Sequence, residues 1–286
     1  MCEFMIMTDG ACDLPDAYLE AHHVGVVPLF YSFASAKHQR FPGRRAFHAK
    51  AFYTALRKGS QVRTAAANME DFRQIMEGYA AAGKDILYVG FSAKLSSTFN
   101  VGRLTALEIQ EKYPGRKVLC LNGRGGSLGQ GMLVDLLVQM RENGATLEET
   151  FAQGEQLVQR MQHRFLVPDL MHLKRGGRIG SGTAVLGSML QIMPILQANS
   201  EGALEVTGKV RGRRAALMKL AETVGKSMEP GSTAAVTHAD APEDAMYVRD
   251  ILRRKYGVKK VWLENIGPVL GAHCGPGAVA AFYLAK

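Results

Sequence analysis

Gly125-Gly126-Ser127-Leu128-Gly129 matches Gly-x-Ser-x-Gly, the sequence form of a nucleophile elbow, and it falls between an expected strand and an expected helix. Acidic residues and two histidines, His238 and His273, follow it in the order an acyl hydrolase uses. The chemistry would be acyl transfer, with Ser127 or Ser96 as nucleophile and His273 as base. Against it, the preceding strand ends near Leu121, whereas an elbow sets its serine on a sharp turn directly after the strand. A glycine-rich entry to a helix explains the same residues and is the favoured reading.

Two other loops carry small hydroxyls next to expected helix starts. Arg63-Thr64-Ala65-Ala66-Ala67-Asn68 enters one helix, and Phe91-Ser92-Ala93-Lys94-Leu95-Ser96-Ser97-Thr98-Phe99 enters another. Backbone N–H groups at a helix start favour an anion, and hydroxyls add donors without burying a lysine. A carboxylate is a natural guest. Plain helix capping by Thr64 and Ser97 accounts for these residue types equally well.

Other signatures carry less. Gly225-Lys226-Ser227 has Leu220 at the upstream position where a phosphate loop needs glycine, and it sits inside a helical pattern. Gly275-Pro-Gly-Ala-Val-Ala280 fits a relaxed dinucleotide fingerprint, but too few residues follow to complete a βαβ unit. Cys2, Cys12, Cys120 and Cys274 form no Cys-x-x-Cys pair and read as reduced structural thiols, so no metal site is expected. His238 and Asp240 on one strand face are weak evidence for a metal.

The elements that must position these loops alternate. Residues 4–8 read as a strand, 15–22 as a helix and 24–29 as a second strand. Helices are expected over 47–58, over 69–82 with Asn68 as its cap, over 98–112 and over 128–142. Strands at 86–91 and 117–121 lie between them, and Thr146-Leu-Glu-Glu149 is a capping box opening a further helix. This rhythm predicts a parallel, doubly wound sheet whose ligands sit beyond the carboxyl ends of the strands.

Beyond residue 160 the texture changes. A strand is expected at 164–167, a short helix at 170–175, the basic glycine loop Lys174-Arg-Gly-Gly-Arg-Ile179 and a helix at 184–189. Residues 192–196 and 203–206 form a hairpin around Gly202. Helices at 213–228 and 242–256 alternate with strands at 233–238 and 260–266, and Gly271 to Gly277 reads as a loop into a last apolar strand ending near Tyr283.

Composition sets the frame. The chain has 286 residues, 47% hydrophobic and 21% charged, which excludes a mostly disordered chain and points to two domains. No apolar run is long enough for a membrane span, and the opening Met-Cys-Glu-Phe lacks the basic and apolar regions of a signal peptide. A cytoplasmic location is expected. The net charge of +9 comes from short clusters without interleaved aromatics, so solvated surface charge is favoured and no nucleic-acid partner is expected.

The loops and their flanks resemble the DegV family, the lipid-binding family that includes the fatty-acid-binding subunits of bacterial fatty acid kinase. The likeness begins at Thr8-Asp9-Gly10-Ala11-Cys12-Asp13-Leu14-Pro15 and continues through Val27-Pro28-Leu29. Thr64 opens the counterpart of the family's Thr-Ser-Gln-Pro, and Leu95-Ser96-Ser97-Thr98 is the counterpart of its Leu-Ser-Gly-Thr. Leu173-Lys174-Arg175-Gly176-Gly177-Arg178-Ile179 and Gly271-Ala-His-Cys-Gly-Pro-Gly277 complete the set. Each is weak alone; their order and spacing are specific.

The resemblance implies an α/β fold of two domains: an N-terminal parallel-sheet α/β/α domain, residues 1–160, and a C-terminal α/β domain with a mixed sheet, residues 161–286. A long-chain fatty acid is then held between them, with no other cofactor and no metal. It also implies that Thr64 and Ser96 bind the acyl carboxylate, with Ser97, His273 and either Arg175 or Arg178 beside it. The family acts as a carrier without catalytic activity of its own. Its partner is a dihydroxyacetone-kinase-like fatty acid kinase subunit that phosphorylates the bound acyl group, and peripheral membrane contact for lipid exchange is compatible with that role.

The sequence also departs from the family pattern. Ala65, Ala66 and Ala67 stand where Ser, Gln and Pro are usual, Ser97 replaces a glycine, Gly10 replaces a serine, and Asn122-Gly123 replaces Asp-Ser. An adaptable methionine wall, Met189 and Met193 above all, would suit an acyl tunnel, although methionines at such spacing are more often core.

Overall fold

The computed structural model describes residues 4–33, 39–41, 47–180 and 192–286. In chain order the first part runs β1 (Phe4–Asp9), α1 (Asp16–Ala21), β2 (Gly25–Val27), β3 (Leu29–Phe33), β4 (Gln39–Phe41), α2 (Ala49–Arg57), β5 (Val62–Ala65) and α3 (Met69–Ala81). It continues through β6 (Asp85–Gly90), α4 (Thr98–Lys112), β7 (Val118–Asn122), α5 (Ser127–Glu142) and α6 (Leu147–Arg160). The remainder is β8 (Met161–Leu166), α7 (Met171–Arg175), β9 (Ile192–Ala198), β10 (Leu204–Arg211), α8 (Arg213–Ser227), β11 (Ala234–His238), α9 (Pro242–Tyr256), β12 (Val261–Asn265), α10 (Pro268–Cys274) and β13 (Val279–Leu284).

β2, β1, β6 and β7 form a parallel sheet in that order. Their alternation assigns the two faces: Ile6, Leu87 and Val89 join the core under α5 and α6, while Met7, Ile86 and Tyr88 join Phe72, Met76 and Phe99 under α3 and α4. A parallel sheet covered on both faces requires nearly continuous apolar strands, which is what Phe-Met-Ile-Met and Ile-Leu-Tyr-Val are. The caps expected at Asn68 and Thr146 are both present, the first accepting from the Asp71 amide at 2.8 Å and the second closing a full capping box with Glu149.

The second sheet is mixed, in the order β10-β9-β8-β13-β11-β12, antiparallel except for the parallel pair β11 and β12. The expected hairpin is present as β9 and β10. Helices α8 and α9 cover one face of this sheet, and its other face turns towards α5.

Several expectations are corrected. Residues 24–29 are not one strand: Pro28, which lacks the N–H a central strand needs, separates β2 of the parallel sheet from β3 of a small antiparallel sheet, β4-β3-β5. Asp240 is off the strand face, in the β11–α9 loop, and is ion-paired with Arg57. Gly271 to Cys274, read as part of the lead into the last strand, instead close helix α10 (Pro268–Cys274). Met193 packs against α8 and Leu166 in the core of the mixed sheet, not in a tunnel wall. The helix expected at 184–189, with Met189, lies outside the described residues.

Candidate functional site

Two buried aspartates organise the loops at the carboxyl ends of the parallel strands. The Asp9 carboxylate accepts from the amides of Ala11 at 3.1 Å and Phe91 at 2.8 Å, and from the Tyr88 hydroxyl at 2.9 Å. Burial raises its pKa, and these three donors work against that shift. Asp13 joins two helix starts: Oδ2 accepts from Ser127 Oγ at 2.6 Å, and Oδ1 accepts from the Gly267 amide at 3.0 Å. Asp13 thereby fixes the start of α10, and α10 carries His273 in its last turn.

His273 meets Thr64 across the small antiparallel sheet, with His273 Nε2 2.8 Å from Thr64 Oγ1. Burial, reinforced by the nearby Arg178 charge, lowers the histidine to about 4, so the ring is neutral at pH 7. Arg178 lies past the end of α7, its Nε donating to the Leu95 carbonyl at 3.0 Å and Nη1 to the Gly176 carbonyl at 2.5 Å. The next residue, Ser96, holds its hydroxyl 2.9 Å from Thr98 Oγ1 and accepts from the Thr98 amide at 3.2 Å. Thr98 Oγ1 in turn accepts from the Ala67 amide at 3.3 Å, linking the two hydroxyl-bearing loops.

Thr64, Ser96, Ser97, Arg178 and His273 all line one cavity, which contains about 1060 Å³ of atom-free space, part of it open to solvent. Beyond this polar cluster the walls are mostly apolar: Leu29, Phe91, Leu173, Val269 and Leu270, then Phe165, Ala280 and Phe282 of the mixed sheet, with Ser127 and His163 among them. An elongated apolar body with one anionic end matches this distribution, because a buried anion needs several donors and the rest of the ligand needs none.

The candidate residues separate under this geometry. Arg175 is exposed at the end of α7, within 3.5 Å of His172, and does not line the cavity. Ser97 is exposed at the N-terminal end of α4 and makes no capping bond, so the helix-cap reading fails for it. It fails for Thr64 too, which lies on strand β5. Ala65 and Ala66 present methyl groups to the cavity where the family pattern has polar side chains.

Ser127 also lines the cavity, buried and with φ of 54°, yet it donates to Asp13 and sits 3.2 Å from Thr237 Oγ1. Among the described residues neither Ser127 nor Ser96 is hydrogen-bonded to a histidine, and His273 is engaged by Thr64. The hydrolase geometry is therefore not assembled. No three His, Cys, Asp or Glu among the described residues are placed to hold a metal ion, and no helix among them is long and apolar enough to cross a membrane.

Sequence reasoning missed His163, on β8, which lines the same cavity. The signal was available: in Met161-x-His163-x-Phe165 the polar residue falls on the apolar face of the strand. α10 was legible from Pro268 at its first turn and Gly275 just after its end.

The model of the family described as "Uncharacterised protein, DegV family" matches residues 3–286. A DegV domain-containing protein of Clostridium perfringens is 35% identical over 286 residues, covering 99% of this chain and 98% of that protein. Among solved structures, one described as showing fatty acid binding of a DegV family protein from Thermus thermophilus is similar with a TM-score of 0.88. It is 27% identical and covers 99% of this chain and all of its own. A DegV lipid-binding protein from Thermotoga maritima is similar with a TM-score of 0.86 at 26% identity, covering 99% of this chain and all of that one.

Proposed function

This chain belongs to the DegV family, and from that premise we propose that it binds a long-chain fatty acid in the cavity between its parallel and mixed sheets. The observation that carries the reading is the junction in one cavity of Thr64, Ser96, Arg178 and His273 with a long apolar wall. Thr64 and Ser96 donate to the carboxylate, Arg178 supplies the charge, and His273 orients Thr64. Each buried methylene contributes about 0.8 kcal/mol, so the apolar wall supplies most of the affinity and the polar end supplies orientation.

The fatty acid is a cargo. The protein presents the acyl carboxylate to a kinase of the dihydroxyacetone-kinase type, which forms the acyl phosphate; the carrier has no catalytic step of its own and needs no cofactor. Ser97, exposed at the mouth beside Ser96, is where the carboxylate becomes reachable. The division into residues 1–160 and 161–286, and a cytoplasmic location, belong to the same proposal.

Incubation of the loaded protein with such a kinase and ATP, followed by hydroxylamine trapping, tests the presentation step. Acyl hydroxamate that appears only when kinase, ATP and this protein are combined is the expected result. Hydroxamate formed equally well without this protein contradicts a presenting role.

A further inference from the structure

The α4 helix buries one face and leaves the other open. Phe99, Gly102, Ala106 and Ile109 pack inward, and Gln110 Oε1 accepts from the Val118 amide of β7 at 3.0 Å, so the helix is fixed to the parallel sheet. On the outer face stand Leu107 and Leu104, at 48% and 47% the most exposed large apolar side chains among the described residues. Single exposed leucines are ordinary on a protein surface, but these two are neighbours three residues apart on one helix face. Exposed Ser97, Asn100 and Glu111 extend them into one stripe, Ser97, Asn100, Leu104, Leu107, Glu111.

The steps along that stripe alternate between three and four residues. That is the seven-residue repeat by which one helix receives another, here with apolar residues at its centre and polar residues at its ends. An extended peptide, with its period of two, does not match it. Ser97 has helical backbone angles, φ −71° and ψ −8°, so the stripe is continuous into the first turn. Ser97 also lines the cavity and lies exposed at its mouth. The stripe therefore begins where the acyl carboxylate is reachable and runs away from it for about 21 Å, at ~1.5 Å per residue.

Place and size together decide what covers this face. A helix about 10 Å wide offers roughly 200 Å² over that length, well short of the ~800 Å² per partner that a stable complex buries. The stripe alone cannot hold two copies of this chain together, but it suits one part of a contact whose remainder lies at the mouth. A carrier must also release its partner after each turnover, which a small apolar contact permits. We propose that α4 is the docking helix for the kinase that receives the carboxylate. The kinase lays an amphipathic helix along residues 97–111, with its own apolar residues against Leu104 and Leu107. This docking rests on the presenting role and gives that role a surface.

The test measures the acyl hydroxamate formed by a kinase of the dihydroxyacetone-kinase type and ATP as the concentration of the loaded chain is varied. In Leu104→Glu/Leu107→Glu the KM for the loaded chain should rise by roughly tenfold or more, since two leucine side chains are lost from the contact, with kcat unchanged. The release rate of a fluorescent acyl probe and the melting temperature should equal those of the wild-type chain. Photoreactive benzoylphenylalanine in place of Leu107 should crosslink to the kinase, and the same group in place of exposed Met218 on α8 should not. An unchanged KM, a position-107 crosslink to a second copy of this chain or to nothing, or equal crosslinking from position 218 overturns the proposal. Faster probe release from the double variant would place the loss in the lipid site and overturns it too. Kinase-dependent hydroxamate from the wild-type chain with any of these results defeats the docking alone. No such hydroxamate from the wild-type chain defeats the presenting role with it.

Discussion

At the scale of single residues, the polar end of the cavity is a relay of short contacts, and each contact predicts a loss. Ser96→Ala removes a hydroxyl that a buried carboxylate would use, and hydrogen bonds to charged groups are worth about 1.5–3 kcal/mol. Fatty-acid retention should fall by roughly 10- to 100-fold, measured as the dissociation rate of a fluorescent acyl probe; an unchanged rate would remove Ser96 from the site. Thr64→Val keeps the shape of the side chain and deletes its bond to His273, so a similar loss is expected with little change in thermal stability. Most of these residues were legible in the sequence, because hydroxyls, arginine and histidine stand in a specific order. The choice between Arg175 and Arg178 was not. It depends on Gly177, whose φ of 70° turns the chain back so that the Arg178 amide reaches the Leu173 carbonyl at 3.0 Å. Arg178 then enters the cavity and Arg175 stays on the surface.

At the scale of elements, the loops at the ends of the parallel strands are held from the other sheet. The β9–β10 turn docks on them: Ser92 Oγ donates to the Gly202 carbonyl at 2.8 Å, Arg124 Nη1 to the Ser200 carbonyl at 2.8 Å, and Lys94 pairs with Glu201. Gly202 has φ of 86°, and a Cβ there would meet Arg124 backbone atoms at 2.9 and 3.0 Å. Gly202→Ala should therefore destabilise the protein by about 1–3 kcal/mol and speed ligand loss, since Ala198 and Leu204 beside the turn line the cavity. A melting temperature equal to wild type would show that the turn gives way freely. The long helices and the β9–β10 hairpin were readable from apolar period and turn residues. β5 and α10 were not predicted, although they carry Thr64 and His273 and although Pro268 and Gly275 mark the two ends of α10. Both are short, and their pairing with distant segments, not local propensity, decides their form.

At the scale of the whole molecule, the two sheets enclose two neutral histidines, and this sets the response to acid. His163 and His273 both lie at about 4, below the usual histidine value of 6.5. Between these values the unfolded chain binds more protons than the folded one, so stability is complete above about pH 6.5 and is lost as pH falls towards 4. For the fully buried His163 the loss is about 3 kcal/mol at most. Melting temperature followed from pH 7 to pH 4 should drop, and His163→Phe should flatten the curve. An equally steep curve in the variant would place the protonation elsewhere. The α/β class and the parallel sheet followed from the order of the elements, because covered parallel strands leave nearly continuous apolar runs, whereas the mixed sheet was implied by the family resemblance alone. The cavity did not follow from that order, since its wall is assembled from β5, β8, α10 and β13, segments far apart in the chain.

The central claim is that this cavity holds a fatty acid. Native and denaturing mass spectrometry on one purified sample, with extraction of the released lipid, tests it most directly. A single fatty acid per chain, present in the native spectrum and absent from the denatured protein, is the predicted result. A native mass equal to that of the bare chain, with no fatty acid in the extract and none taken up on incubation, would contradict it.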